Sequence, residues 1–260
     1  MTRMAGTPLI GVLALQGGFE AHGRMLRKLG PTPPDVREVR VPGDLDGLDG
    51  LVIPGGESTT ITLGIEREGL AEPLRRLVRG TEGTGAGEGE GSGRKDGGAG
   101  GIPVLGSCAG LIMLDRDHLN LMDIRAERNA FGRQLQSFEA DIDVRGIDDD
   151  TATRGGGRAH GDATTRGGGR AHGDATTSAA PGRALRAVFI RAPWIAEHGP
   201  GVEILAVLDG HAVAAREGNM LAVAFHAELT DDDRIHRLFL DSVSLPVVTE
   251  GRCNRDRNET

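Results

Sequence analysis

Residues 102–114 read IPVLGSCAGLIML. A short apolar run ends in Gly106-Ser107-Cys108-Ala109-Gly110, and a second apolar run follows at once. The pattern reads as strand, sharp turn, helix. Glycines on both sides of the cysteine permit a tight turn that lifts the Cys108 thiol out of the chain. This is the cysteine counterpart of the G-x-S-x-G nucleophile elbow. A helix starting at this point aims its positive end at the sulfur, which favours thiolate over thiol. The commoner fate of a free cysteine is burial in the core. A core strand gains nothing from flanking glycines, however, so Cys108 is the candidate nucleophile.

Outward from this turn, the N-terminal half alternates strands and helices. Residues 9–15 (LIGVLAL) read as a buried strand, Gln16-Gly17-Gly18 as a turn, and 19–29 as a helix. Residues 36–41 (VREVRV) and 50–53 (GLVI) read as two more strands. Pro54-Gly55-Gly56 ends the latter, and Ser58 is a good N-cap for a helix running in pieces towards Arg79. Strand 102–105 and the helix after Cys108 complete the series. Such alternation implies a mostly parallel sheet covered on both faces, a three-layer α/β domain. In these sheets the site lies beyond the carboxyl ends of the strands, where Gln16, Gly55, Gly56 and Cys108 all fall.

The second half is richer in strands, at 138–144, 186–191, 202–208, 211–216 and 220–225. Asp209-Gly210 is a hairpin signal between two of them. Residues 230–243 read as a closing helix with Thr230 as its cap, acids in its first turn, and Ile235, Leu238 and Phe239 on one face.

Two stretches depart from this plan. Residues 81–101 are almost free of apolar side chains, and TRGGGRAHGDAT occupies 153–164 and again 165–176. Neither buries enough surface to offset ordering entropy, so 81–101 and 147–182 are expected to be flexible insertions in one domain spanning 1–260, with a polar tail at 247–260. His160, Asp162, His172 and Asp174 of the duplication have nothing rigid to hold them as metal ligands, and no metal or cofactor is expected. With the two insertions set aside, about 210 residues remain, an ordinary size for one α/β domain.

Composition narrows the function classes. Among 260 residues the formal net charge is −8, aromatics are 3 % and Tyr is absent. No basic patch or stacking platform suggests nucleic-acid binding. The longest N-terminal apolar run is seven residues, too short for a membrane span, and no signal-peptide pattern follows. Cys108 and Cys253 make no disulfide framework, which fits a reduced, cytoplasmic protein.

A nucleophilic cysteine needs a base, and the base needs an orienting group. Of eight histidines, His226 alone follows an apolar strand where the sheet ends, with Glu228 two residues later. In an extended backbone these two side chains face the same way. The carboxylate then fixes the imidazole tautomer while the other ring nitrogen faces the thiol. A structural His–Glu pair is the alternative, and the presence of Cys108 outweighs it. The third element is Pro54-Gly55-Gly56-Glu57-Ser58. Its glycines let backbone N–H groups of Gly55 or Gly56 join that of Ala109 as an oxyanion hole. The helix start that follows suits an anionic group such as an α-carboxylate. No G-x-x-x-x-G-K-[ST] pattern supports a nucleotide site.

With these elements the chain resembles the class I, triad-type glutamine amidotransferases, and among them the glutaminase subunits of pyridoxal 5′-phosphate synthase. The matching strings are GVLALQGGFEAH (11–22), GLVIPGGESTTI (50–61), GIPVLGSCAGLIML (101–114), ERNAFGRQLQSFEADI (127–142), VFIRAPWI (188–195) and FHAELTDDDRIHRLF (225–239). The resemblance implies a flavodoxin-like domain in which Cys108 is the nucleophile, His226 the general base and acid, and Glu228 its orienter. It implies that L-glutamine is held by Gly56, Glu57, Ser58, Arg128, Ile190 and Arg191. It also implies that ammonia passes to a synthase subunit, with Gln16 and Gly17 in the region where that partner docks and activates. Ala227 departs from the family's usual proline between base and orienter, and Ala130 from a usual serine. Two other readings stay open at this point: a non-catalytic glutamine-binding or regulatory subunit, and a γ-glutamyl or peptide hydrolase.

Overall fold

A computed structural model describes residues 7–80, 101–128, 137–147 and 184–243. In chain order its strands are β1 (Leu9–Leu13), β2 (Asp35–Val39), β3 (Gly50–Ile53), β4 (Val104–Ser107), β5 (Ile124–Glu127), β6 (Ser137–Ile142), β7 (Leu185–Ile190), β8 (Trp194–His198), β9 (Glu203–Leu208), β10 (His211–Glu217) and β11 (Met220–Val223). Its helices are α1 (Phe19–Leu26), α2 (Ser58–Arg67), α3 (Ala71–Arg79), α4 (Ala109–Leu114) and α5 (Arg234–Asp241).

The continuous apolar runs of β3 and β4 are buried at every position, as strands covered on both faces must be. They sit in the middle of a parallel set ordered β2-β1-β3-β4-β11. The chain steps outward from β1 to β2 and then reverses to β3 and β4. Right-handed crossovers therefore place α1 and α2 on opposite faces. Helix α5 shares the face of α1, since their buried histidines His22 and His236 touch. Helix α4 packs with α2 on the other face. Antiparallel strands β10, β8 and β5 extend the sheet beyond β11, and β9 pairs with β10. Strands β6 and β7 form a separate antiparallel pair. The His226 amide donates to the Val188 carbonyl and ties that pair to the main sheet. Phe189 of β7 then meets Phe225 edge-on, with ring centroids 5.7 Å apart, beneath the same turn.

Several expectations shift in detail. Strand β4 starts at Val104 rather than 102, because Pro103 has no N–H to give the ladder. The Asp209-Gly210 hairpin forms with both residues at positive φ, 50° and 79°. Helix α5 starts at Arg234, not beside Thr230, and Asp233 rather than Thr230 is its N-cap. Asp232 holds the Arg234 guanidinium instead, so the acidic run forms a turn ahead of the helix. The two missed strands, β5 and β8, pair with each other at the sheet's far edge and are short and largely polar. The proposed insertions and the tail, with Cys253, lie almost wholly outside the described residues. Among the described residues no helix is long and apolar enough to cross a membrane.

Candidate active site

Cys108 sits where β4 becomes α4, with φ 50° and ψ −105°. A non-glycine residue in such a conformation is strained, and strain of this kind collects at functional sites. The cysteine itself takes the unusual dihedral, while the flanking glycines serve another purpose. A Cβ at Gly110 would lie 2.0 Å from the Ile53 carbonyl oxygen, and one at Gly106 would lie 2.7 Å from that of Gly110. The glycines thus let α4 lie directly on β3 and β4. The Cys108 amide donates to the Val223 carbonyl at 2.8 Å, which locks the elbow to β11.

The next turn along the sheet follows β11 and carries His226. Its Nδ1 is 2.7 Å from Glu228 Oε1. The pairing arises differently from the extended geometry expected. Residues Ala227–Leu229 form a 3-10 turn with His226 as its N-cap, and the turn swings Glu228 back under the imidazole. Ala227, in the place of the family's proline, is buried as the first residue of that turn. The ring also abuts Gly55 and Cys108. A Cβ at Gly55 would lie 2.5 Å from His226 Cε1 and 3.1 Å from Cys108 Cβ. Three segments distant in sequence therefore meet at one point: the elbow, the 3-10 turn and the glycine turn after β3.

Electrostatics follow from these contacts. Burial alone would depress the His226 pKa. Hydrogen bonds with Cys108 and Glu228 overcome it and raise the imidazole to about 10. Burial would likewise raise Glu228, yet attraction to His22 and His226 holds its carboxyl well below the usual range. The arrangement favours an imidazolium held by the Glu228 carboxylate beside the Cys108 sulfur.

The remaining predicted residues divide. Gln16 Oε1 accepts from the Glu57 amide at 2.7 Å, and the Gly18 amide donates to the Gly55 carbonyl at 2.9 Å. The two glycine turns thus lie against each other, and Gly17, at φ 96°, has space for no Cβ beside the Gly55 carbonyl. Glu57 rather than Ser58 caps α2. Its carboxylate accepts from the Thr60 hydroxyl and the Thr59 and Thr60 amides, which lower its pKa to about 2. Ser58 is the buried first residue of that helix. The Ile190 carbonyl is 3.9 Å from Cys108 Sγ, and Arg191 beside it takes φ 44°. Ala109 is the first residue of α4, so its N–H has no acceptor within the helix. Arg128 lies exposed just past β5, and no hydrogen bond or ion pair among the described residues joins it to the others. A surface cavity of about 480 Å³ between α1 and β7 is lined by charges of both signs and contains neither Cys108 nor His226.

Sequence reasoning missed Ser107 and the buried neighbours of Glu228. Ser107 Oγ lies 3.2 Å from Glu228 Oε2, and Gly18 leaves room for that carboxylate, since a Cβ there would be 2.7 Å from Oε1. Ser107 stands in the strand that precedes the nucleophile, and only the pairing of β4 with β11 shows what it faces.

This geometry agrees with what the chain is similar to. The SNO glutamine amidotransferase family matches residues 12–89, 98–155 and 176–245. The pyridoxal 5′-phosphate synthase subunit PdxT of Parafrankia sp. (strain EAN1pec) is 41 % identical over 245 residues, 91 % of this chain and 93 % of that one. The protein of the same name from Streptomyces avermitilis is 41 % identical over 246 residues, covering 91 % and 94 %. A crystal structure of a glutamine amidotransferase superposes with TM-score 0.64 at 33 % identity, covering 90 % of this chain and 98 % of that one. The chain belongs to the SNO glutamine amidotransferase family.

Proposed function

We propose that this protein is the glutaminase subunit of a pyridoxal 5′-phosphate synthase, hydrolysing L-glutamine to L-glutamate and ammonia for its synthase partner. One observation carries the chemistry: the His226 imidazole is held at 2.7 Å by a buried carboxylate and meets Cys108 beside Gly55. The Cys108 thiolate attacks the side-chain amide carbon of glutamine. Backbone N–H groups of Gly55 or Gly56 and of Ala109 stabilise the oxyanion. As the C–N bond breaks, His226 gives its proton to the departing nitrogen, and ammonia leaves a thioester on Cys108. His226, now neutral, takes a proton from water, and the hydroxide attacks the thioester. Glutamate leaves, and thiolate and imidazolium are restored together.

Gly56, Ser58, Ile190 and Arg191 are assigned to glutamine, a reading supported by the Ile190 carbonyl lying 3.9 Å from Cys108 Sγ, with Arg128 or Arg191 as the guanidinium for its carboxylate. Glu57 serves through its backbone and its cap, since its carboxylate is already satisfied. Gln16 and Gly17, packed against the Gly55 turn, are assigned to coupling with the synthase subunit. We read the chain as one domain with insertions at 81–101 and 147–182. Breaks in the family match, at 90–97 and 156–175, fall within them and support that reading. A thiolate nucleophile suits the reducing cytoplasm.

Ammonia release from L-glutamine, measured with the synthase subunit present, tests the proposal. Wild type releases ammonia, and Cys108→Ala lowers kcat by about 10⁴ or more while keeping the native fold by circular dichroism. Wild-type turnover in that variant overturns the assignment. Glutamine binding without ammonia would instead identify a regulatory subunit.

A further inference from the structure

Behind the triad lies a second pair of imidazoles to which that chemistry assigns no part. His22 of α1 and His236 of α5 are both fully buried, with Nδ1 of the first 2.9 Å from Nε2 of the second and ring centroids 5.1 Å apart. His22 Nε2 approaches Glu228 Oε2 to 3.1 Å, close enough for strong attraction although off the ideal hydrogen-bond line. Glu228 therefore has both oxygens engaged: Oε1 by His226, Oε2 by His22 and Ser107.

The bond between the two rings has a direction that the surroundings decide. One nitrogen must donate and the other accept. If His22 donated from Nδ1 as a neutral ring, its Nε2 lone pair would face a carboxylate, which is repulsive. The opposite direction removes the conflict. His236 donates from Nε2 to His22 Nδ1, and His22 turns its Nε2–H towards the Glu228 carboxylate 3.1 Å away. His236 Nδ1, which has no partner among the described residues, is then the bare lone pair rather than a stranded N–H. Burial above all lowers the His236 pKa to about 3, so this ring is neutral; Asp233 and Glu228 oppose that shift.

Resting on the glutaminase reading, we propose that His22 and His236 are positioning residues, a donor chain running one way from His236 through His22 that pins the Glu228 carboxylate and so aligns His226 with Cys108. The chain never touches substrate. Its effect belongs in kcat and in the thiolate population, and glutamine affinity is left alone.

Glutamine keeps a donor near the Nε2 position of histidine, whereas asparagine does not. With the synthase subunit present, His22→Asn is expected to lower kcat about tenfold with KM for glutamine changed by less than about twofold. His22→Gln is expected to recover most of that loss. Alkylation of Cys108 by iodoacetamide against pH, read without glutamine, is expected to shift its midpoint upward in His22→Asn, because a loosened Glu228 supports the imidazolium less well. An unchanged alkylation profile with only a lower melting temperature would reduce the pair to packing and overturn the proposal. Equal loss in the Asn and Gln variants would also overturn it. If His22→Asn does not fold, ¹⁵N-histidine NMR of the wild type decides: the Nε2–H tautomer at His236 is expected, and the Nδ1–H tautomer there contradicts the chain. Wild type that fails to release ammonia would refute the glutaminase reading, while the tautomer result would still stand by itself.

Discussion

Glu228 divides the centre of this molecule into two regions built on different principles. On its front, Cys108 and His226 sit on turns at the ends of adjacent strands, and the His226 ring retains 13 % exposure. On its back, Ser107, His22 and His236 are wholly buried. The front is made by backbone conformation: a strained cysteine, a 3-10 turn, and glycines that admit close approach. The back is made by packing, since α1 and α5 meet only when both lie on one face of the sheet. Groups that exchange protons with substrate need access and strain, whereas groups that hold them need only a fixed place in a dry interior.

The front is the more sensitive of the two to a single added methyl. Gly55→Ala puts a methyl 2.5 Å from His226 Cε1, so the ring must move off the thiol. The account expects about a 10²-fold loss of kcat/KM, read by ammonia release, with the parallel core intact by circular dichroism. Near-wild-type activity would show that the imidazole does not work from where it lies.

A second prediction concerns pH and stability. His226 has a folded pKa of about 10, above the ordinary histidine value of about 6.5. Paired with the thiolate, the native imidazolium holds one proton up to about pH 10, and an unfolded chain also holds one, on its thiol, until about pH 8.5. Melting temperature is therefore expected to stay level between about pH 6.5 and 8.5 and to drop several degrees from there towards pH 10, a drop that Cys108→Ala flattens. A profile equally steep in both proteins would place the effect elsewhere.

The smallest effect belongs to the back. Ser107 Oγ has one hydrogen to share between the Phe225 carbonyl at 3.0 Å and Glu228 at 3.2 Å. Ser107→Ala is expected to cost about 1 kcal/mol of stability by denaturant titration and less than about threefold in kcat. A loss as large as that of Gly55→Ala would erase the distinction between the two regions.

How much of this was written in the sequence follows the same line. The strand–turn–helix break at Cys108 and the apolar runs of β1, β3 and β4 depend on local chemistry and are legible, whereas the part of Gly106 and Gly110, which admit α4 onto β3 and β4, is not. His226 and Glu228 were legible as a pair from their place after an apolar strand, although the 3-10 turn that joins them was not. Pairings between distant segments left no local mark. His22 lies 214 residues from His236, and its helix shows only an amphipathic stripe on which a buried histidine looks like any other. Strands β5 and β8 escaped notice because a short polar edge strand has no alternating apolar face. The cap of α2 was misassigned by one residue, since a glutamate reaching Thr59 and Thr60 is a rarer device than serine.

Catalysis begins when the Cys108 sulfur attacks the side-chain carbonyl of glutamine. Treating the protein, with its synthase partner, with an electrophilic ketone analogue of glutamine and mapping the adduct by peptide mass spectrometry tests it. The account predicts one covalent label on Cys108, formed more slowly when L-glutamine competes and absent after His226→Asn. A label on another residue, or labelling of Cys108 that glutamine does not slow, would contradict it.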